Sequence, residues 1–263
     1  MVPRTGVEPV THSLEGCCSI QTELPGQILR LSYHRPMRRA FPFLIIACAA
    51  LITYAPSLRN GFVIWDDDTL ITGNPLVQSF SPVTVKGAFT SYDPELYVPL
   101  TIVSYQVEHS IVGNEPLLYH IDNLLLHIIT SCLVFLLLQL LGIDWIIALL
   151  GGLLFAVHPI NSEAVSWMSA RKDLLAGVFG LASLVLYLKY QKNSYVTLSL
   201  SKREWSFAFF LLALLSKASA ITLPLVMLLI DWFQQKKTLR ESLIKKTALS
   251  STKGASRPSG EAR

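Results

Sequence analysis

Three consecutive carboxylates, Asp66-Asp67-Asp68, follow directly on the apolar run Phe62-Val63-Ile64-Trp65. Like charges at neighbouring positions repel, so the cluster calls for a compensating cation or metal ion, and such a carboxylate can act as general base or ligand. Read locally, the same string is a solvated turn between two helices. Cations stand at Arg171-Lys172 and Lys217. Arginine makes forked contacts to phosphate and lysine supplies a point charge, although pairing with Asp173 or snorkelling to lipid headgroups accounts for the same residues. His120, Asn123 and His127 are spaced three and four apart, which predicts one shared helix face. An ionisable residue at the depth expected for His127 is a functional candidate, with hydrogen-bonded helix packing as the alternative. Glu163, Trp167 and Arg171 recur at four-residue intervals, which predicts an acid, an aromatic and a guanidinium on neighbouring faces. Asn161 or Ser162 can cap a short helix there, and Glu163 in its first turn suits the macrodipole.

The elements that must position these groups are membrane helices. With 51% hydrophobic and 15% charged residues and a mean hydropathy of +0.45, the chain is not an ordinary soluble domain. The sequence predicts an all-α, polytopic membrane protein with about six spans, near 40–58, 119–141, 145–157, 173–190, 205–215 and 218–233. The third and fifth are short for a hydrocarbon core of about 30 Å. The net charge of +4 comes from lysines and arginines gathered at span ends, so it speaks to topology and not to nucleic acid. Arg35, Arg38 and Arg39 ahead of the first span, and the basic ends at Lys189 to Arg203 and Lys236 to Lys246, place both ends of this region inside.

The 60 residues from Arg59 to Leu118 are then an external loop, in which two basic residues (Arg59, Lys86) face seven acidic ones (Asp66, Asp67, Asp68, Asp93, Glu95, Glu108, Glu115). Prolines punctuate it, and amphipathic pieces such as Leu100 to Val112 are expected along the interface. Gly142-Ile143-Asp144 reads as a tight turn. The four cysteines (Cys17, Cys18, Cys48, Cys132) show no zinc or redox spacing.

On this topology the carboxylates, the cations and the Trp167 ring share one membrane face. A base, a phosphate clamp and an aromatic shelf together suit a transferase using a lipid-phosphate donor. Two other classes predict different behaviour. A non-catalytic membrane scaffold would bind a partner protein regardless of the aspartates, and a small transporter, suggested by His127, would place its site near the midplane. Residues 1–36 match nothing that follows and read as a disordered extension or the product of a misplaced start codon, with a true beginning near Met37. Residues 37–246 form the membrane domain, and 247–263, rich in Ser, Thr, Gly and Lys, read as a disordered tail.

Five blocks in this order, NGFVIWDDDTLITGNP (Asn60 to Pro75), YVPLT (Tyr97 to Thr101), GNEPLLYHIDNLLLH (Gly113 to His127), FAVHPINSEAVSWMSARKDLLAG (Phe155 to Gly177) and LALLSKASAITLP (Leu212 to Pro224), resemble the N-terminal membrane region of the tetratricopeptide-repeat-bearing, protein O-mannosyltransferase-like members of the GT-C glycosyltransferases. The resemblance covers about Ala40 to Phe233. It implies transfer of a sugar from a polyprenyl- or dolichyl-phosphate carrier to an acceptor hydroxyl, with inversion, on the non-cytoplasmic face of a bacterial inner or endoplasmic-reticulum membrane. Carried over by position, one of Asp66, Asp67 and Asp68 is the base, with Asp67 favoured. Arg171, Lys172 and Lys217 hold the carrier phosphate, His158 and Glu163 shape the site, and His120, Asn123, His127 and Trp167 support it. The resemblance leaves open whether a divalent metal joins the carboxylates. Members of this family continue into further spans and repeats, so the chain reads as a truncated form, with its activity in question.

Overall fold

A computed structural model describes residues 37–92, 96–192 and 200–235. The expected extension 1–36, the basic stretch 236–246 and the tail 247–263 lie outside the described residues. Among the described residues the regular elements are all helices: α1 (Met37–Tyr54), α2 (Pro82–Thr90), α3 (Pro99–Val112), α4 (Pro116–Leu140), α5 (Trp145–Val157), α6 (Ser162–Ser166), α7 (Arg171–Lys192) and α8 (Leu200–Ser216), then α9, Ala218–Gln235, which opens on a 3-10 turn.

Among the described residues four helices are long and apolar enough to cross a membrane: Ala40–Arg59, Pro116–Leu140, Met168–Gln191 and Ala218–Gln235. A fifth crossing forms if Trp145–Val157 and Pro159–Ser166, bent by 46° from each other, count as one span. Pro159 cannot continue the hydrogen-bond ladder of α5, so the chain breaks at His158. The expected fifth span is the shorter apolar helix Glu204–Ser216, which at 1.5 Å per residue reaches only about 20 Å. Leu44, Ile52, Ile147, Leu150, Leu154 and Leu228 all point outward with more than half of their surface exposed. Such an apolar exterior belongs against lipid, and the protein is a polytopic membrane protein.

The helices meet through small residues and a few polar clamps. At Gly152 in α5 an added Cβ would lie 2.9 Å from the Ile46 side chain of α1 and 3.1 Å from Phe135 of α4. A side chain there would make Ile46 and Phe135 give way, and Ile46, Ala50, Phe135, Ala148 and Ala156 fill the seam around it. Ser183 of α7 donates to the Ser206 carbonyl of α8 (2.7 Å), and Tyr187 and Gln191 of α7 both donate to Asp231 of α9 (2.6 Å each). Gly142, at φ +82°, makes the expected turn after α4, and the Asp144 carboxylate caps α5 by accepting from Ile146 N at 2.9 Å.

The long polar loop folds into a small core of its own. A capping box between Ser81 and Thr84, with Pro82 at the first helical position, starts α2. Leu70, Ile71, Val77, Ala88, Val98, Ile102 and Tyr105 then pack against Tyr119 of α4 and Met168. Helix α3 covers the stretch read as an amphipathic piece, and its buried residues are Pro99, Thr101, Ile102, Tyr105, Gln106 and Glu108.

Candidate functional site

The three aspartates, identical by type and adjacent in sequence, end in three environments. Asp67 is wholly buried, Asp66 is half-buried and Asp68 is exposed. Asp67 Oδ1 accepts from the Ser169 backbone N–H at 3.0 Å and from the Ser169 hydroxyl, while Oδ2 accepts from Val63 N at 2.9 Å. The side chain therefore bolts the loop onto the turn at 168–170. Asp68 Oδ1 accepts from the next backbone N–H, Thr69 N, at 2.9 Å. Of the three, Asp66 is the carboxylate left both partly shielded and reachable.

The same turn leads into Arg171, the largest fully buried side chain among the described residues, at 1% exposure. Its Nε donates to Asn123 Oδ1 at 2.9 Å, one terminal nitrogen donates to the Tyr119 carbonyl at 2.9 Å, and the other forms an ion pair with Glu108 of α3. The guanidinium also lies 4.7 Å from the Tyr105 ring centroid and 5.6 Å from that of Tyr119, within range for a desolvated cation–π contact. Every donor group of Arg171 thus faces an internal partner, joining α3, α4 and α7. Burial pushes the Glu108 carboxyl up to about 7, with Arg171 pulling the other way, and burial also raises the Tyr105 phenol, whose hydroxyl donates to the Met168 carbonyl at 2.7 Å.

Helix α4 does present His120, Asn123 and His127 on one buried face. Asn123 bridges, accepting from Arg171 and donating to the Trp167 carbonyl at 3.1 Å. His127 is packing: its Nε2 lies 3.0 Å from the Ala156 carbonyl, Tyr54 meets it edge-on at 5.1 Å, and Phe155 stacks on it at 5.7 Å. His120 differs. It is buried beside the Asn60 backbone within electrostatic reach of Asp67, and neither ring nitrogen completes a hydrogen bond among the described residues.

The expected four-residue face through Glu163, Trp167 and Arg171 does not form. Helix α6 ends at Ser166, Trp167 is extended (φ −103°, ψ 123°), and a 3-10 turn precedes Arg171. That break turns Arg171 inward, while Glu163 and His158 stay exposed. Asn161 does not cap α6 with its side chain; its amide donates back to the Phe155 carbonyl at 2.8 Å, and His158 Nδ1 accepts from Ile160 N at 3.1 Å. Lys172 is half-buried, with Nζ 5.8 Å from the Trp167 ring centroid. The Trp167 indole N–H is buried without a partner among the described residues. Lys217 pairs with Asp173, and this ion pair is about one-third exposed on the lysine side.

Asp67 and Ser169 are 102 residues apart in sequence, yet their contact sets Asp66 and Lys172 on adjoining segments. The sequence reading missed Ser169 and Glu108. For Ser169 no local signal exists; for Glu108 the spacing Thr101, Tyr105, Glu108 places it on the buried face of α3. Among the described residues no group of three or more His, Cys, Asp or Glu is placed to share a metal ion. Asp67 has both oxygens engaged by N–H and O–H donors, so the three aspartates together do not fit a divalent ion.

No family model and no solved structure matches the chain. Several curated proteins do. The chain is 32% identical over 207 residues to "Protein O-mannosyl-transferase Tmtc1" of Drosophila melanogaster, covering 71% of this chain and 22% of that protein. It is 33% identical over 223 residues to "Protein O-mannosyl-transferase Tmtc2" of the same organism (78% and 23%), and 27% identical over 219 residues to "Protein O-mannosyl-transferase F38B6.6" of Caenorhabditis elegans (79% and 29%). The chain is homologous to these proteins at moderate identity and spans about a quarter of their length.

Proposed function

We propose that this chain is a GT-C-type membrane glycosyltransferase that passes a sugar, mannose by the names of its relatives, from a polyprenyl- or dolichyl-phosphate carrier to the hydroxyl of a protein Ser or Thr. The observation that carries the reading is the Asp67–Ser169 contact, which holds an acidic loop against a basic turn at one end of the helices. In this reading the helices cross six times, Glu204–Ser216 included, with that end on the non-cytoplasmic face of a bacterial inner or endoplasmic-reticulum membrane.

The chemistry is an in-line displacement at the anomeric carbon. The acceptor oxygen forms the new bond, its proton passes to a carboxylate, and the carrier phosphate leaves with the electron pair of the broken bond. Asp66 takes the proton, because the oxygens of Asp67 are already engaged by three donors. Lys172 and Lys217 receive the charge that develops on the phosphate; Lys217 exchanges Asp173, an exposed partner, for it. Arg171 acts as a positioning residue: buried with Glu108 and Asn123, it fixes the backbone on which Lys172 stands. His158 and Glu163, both exposed on the neighbouring turn, shape the acceptor's approach.

The test is transfer of radiolabelled mannose from synthetic polyprenyl-phosphate-mannose to a Ser/Thr peptide by the detergent-purified chain. Asp66→Asn is expected to lower transfer by on the order of a thousandfold, the usual worth of a positioned base. Transfer at the wild-type rate in that variant sinks the assignment of the base. Absence of transfer by the folded wild-type chain from mannosyl and glucosyl carriers alike sinks the transferase reading itself.

A further inference from the structure

A cavity of about 420 Å³, open to solvent and lined mostly by exposed residues, lies between the end of α1 with its following turn and the α5–α6 break. It shares none of the reacting groups of the site described above, although His158 and Glu163 adjoin its wall in sequence: none of Asp66, Asp67, Asp68, Lys172 and Lys217 lines it, and its wall carries no charged side chain. A phosphate or a metal ion has no counter-charge there. The wall is nevertheless rich in hydrogen-bonding groups, each of a neutral kind.

These groups fall into two sets. The hydroxyls of Thr53, Tyr54 and Ser57 donate to the carbonyls of Ala49 (2.8 Å), His158 (3.1 Å) and Tyr54 (2.7 Å). With their protons committed, they offer only lone pairs to the cavity. The Asn60 amide and the hydroxyls of Ser162 and Ser166 have no partner among the described residues, so they can both donate and accept. Ser162 and Ser166 are four residues apart on α6 and therefore share a face, with Asn60 coming from the other segment. Val157, Pro56 and Pro159 add apolar surface. A ligand matching this wall is uncharged, carries several hydroxyls that donate and accept at once, and has a C–H face for the apolar patch. The volume sits in the lower part of the range of small-molecule sites.

We propose that this cavity binds a neutral hexose unit, distinct from the one being transferred. The transferred sugar is attached to a phosphate, and that phosphate needs cations which this wall lacks. The proposal does not depend on transfer, because it is read by binding.

The experiment is saturation-transfer NMR on the detergent-purified full chain with methyl α-mannopyranoside and methyl α-glucopyranoside, titrated for affinity. The wild type is expected to pass saturation to the ring protons of at least one of them. Ser162→Ala/Ser166→Ala removes two neutral hydrogen bonds, which corresponds to about a tenfold loss of affinity. Asn60→Ala, on the opposite wall and away from α6, is expected to weaken binding likewise and serves if the double variant does not fold. Asp66→Asn, expected to lose transfer, is expected to keep binding. No saturation transfer to either glycoside by the folded wild type overturns the proposal. So does wild-type affinity in both the Asn60 and serine variants. Loss of binding in Asp66→Asn with retention in the serine variant also overturns it, since the hexose then sits at the carboxylates.

Discussion

Asp66→Asn and Asp67→Asn make the same chemical change at adjacent positions, and the structure predicts opposite consequences. Asp67 receives three donors on two oxygens: Ser169 N–H, Ser169 hydroxyl and Val63 N–H. An asparagine offers one oxygen, and its NH2 group must face one of those donors. Three hydrogen bonds to a charged group, each worth about 1.5–3 kcal/mol, become at most two neutral ones worth about 0.5–1.5. Water reaches Val63, which is half-exposed, and relief of the buried charge offsets part of the loss, leaving a net cost of about 3 kcal/mol. At 2–4 °C per kcal/mol for a domain of this size, melting falls by about 6–12 °C. Asp66, half-buried and without a side-chain hydrogen bond among the described residues, is expected to cost within about 0.5 kcal/mol. The assay is thermal unfolding in detergent, followed by tryptophan fluorescence, with mannosyl transfer measured on the same preparations. Asp67→Asn should melt early, and Asp66→Asn should melt with the wild type and fail to transfer. If Asp67→Asn melts with the wild type and transfers nothing, Asp67 is the reacting carboxylate and the reasoning from its hydrogen bonds is wrong.

Two further predictions concern the ion pairs. Burial raises the Glu108 carboxyl from 4.5 to about 7 against the pull of Arg171, so the folded state binds the proton more tightly than the unfolded one. The stability contributed by that group is complete below about pH 4.5 and is lost as the pH rises through about 7. Glu108→Gln cannot titrate, so the wild-type melting temperature should fall relative to it between those limits; parallel curves refute the shift. Lys217→Met breaks a partly exposed pair with Asp173 and should cost at most about 1 kcal/mol of stability. If Lys217 holds the carrier phosphate, the same change raises the KM for polyprenyl-phosphate-mannose by about tenfold, and an unchanged KM removes it from the site.

What the sequence alone determined is the part that follows from composition and period. Apolar runs of helix length, broken by prolines and charge, specify membrane helices and an acidic loop, and the three- and four-residue spacing of His120, Asn123 and His127 specifies one face, which the structure buries. The turn at Gly142 and the helical piece near 99–112 follow from the same local rules. The break at Trp167 was beyond those rules, because the run from Glu163 to Arg171 has helical spacing and contains no proline or glycine. Only tertiary contact decided which way Arg171 faces: its partners Glu108 and Asn123 lie 63 and 48 residues away. The same holds for the aspartates. Asp66, Asp67 and Asp68 have nearly the same neighbours in sequence, and what separates a structural anchor from a reachable carboxylate is Ser169, 102 residues downstream, whose position depends on how α4 and α7 pack. Local pattern sets which groups a helix or loop carries; burial and pairing across the fold set which of them remain free to react.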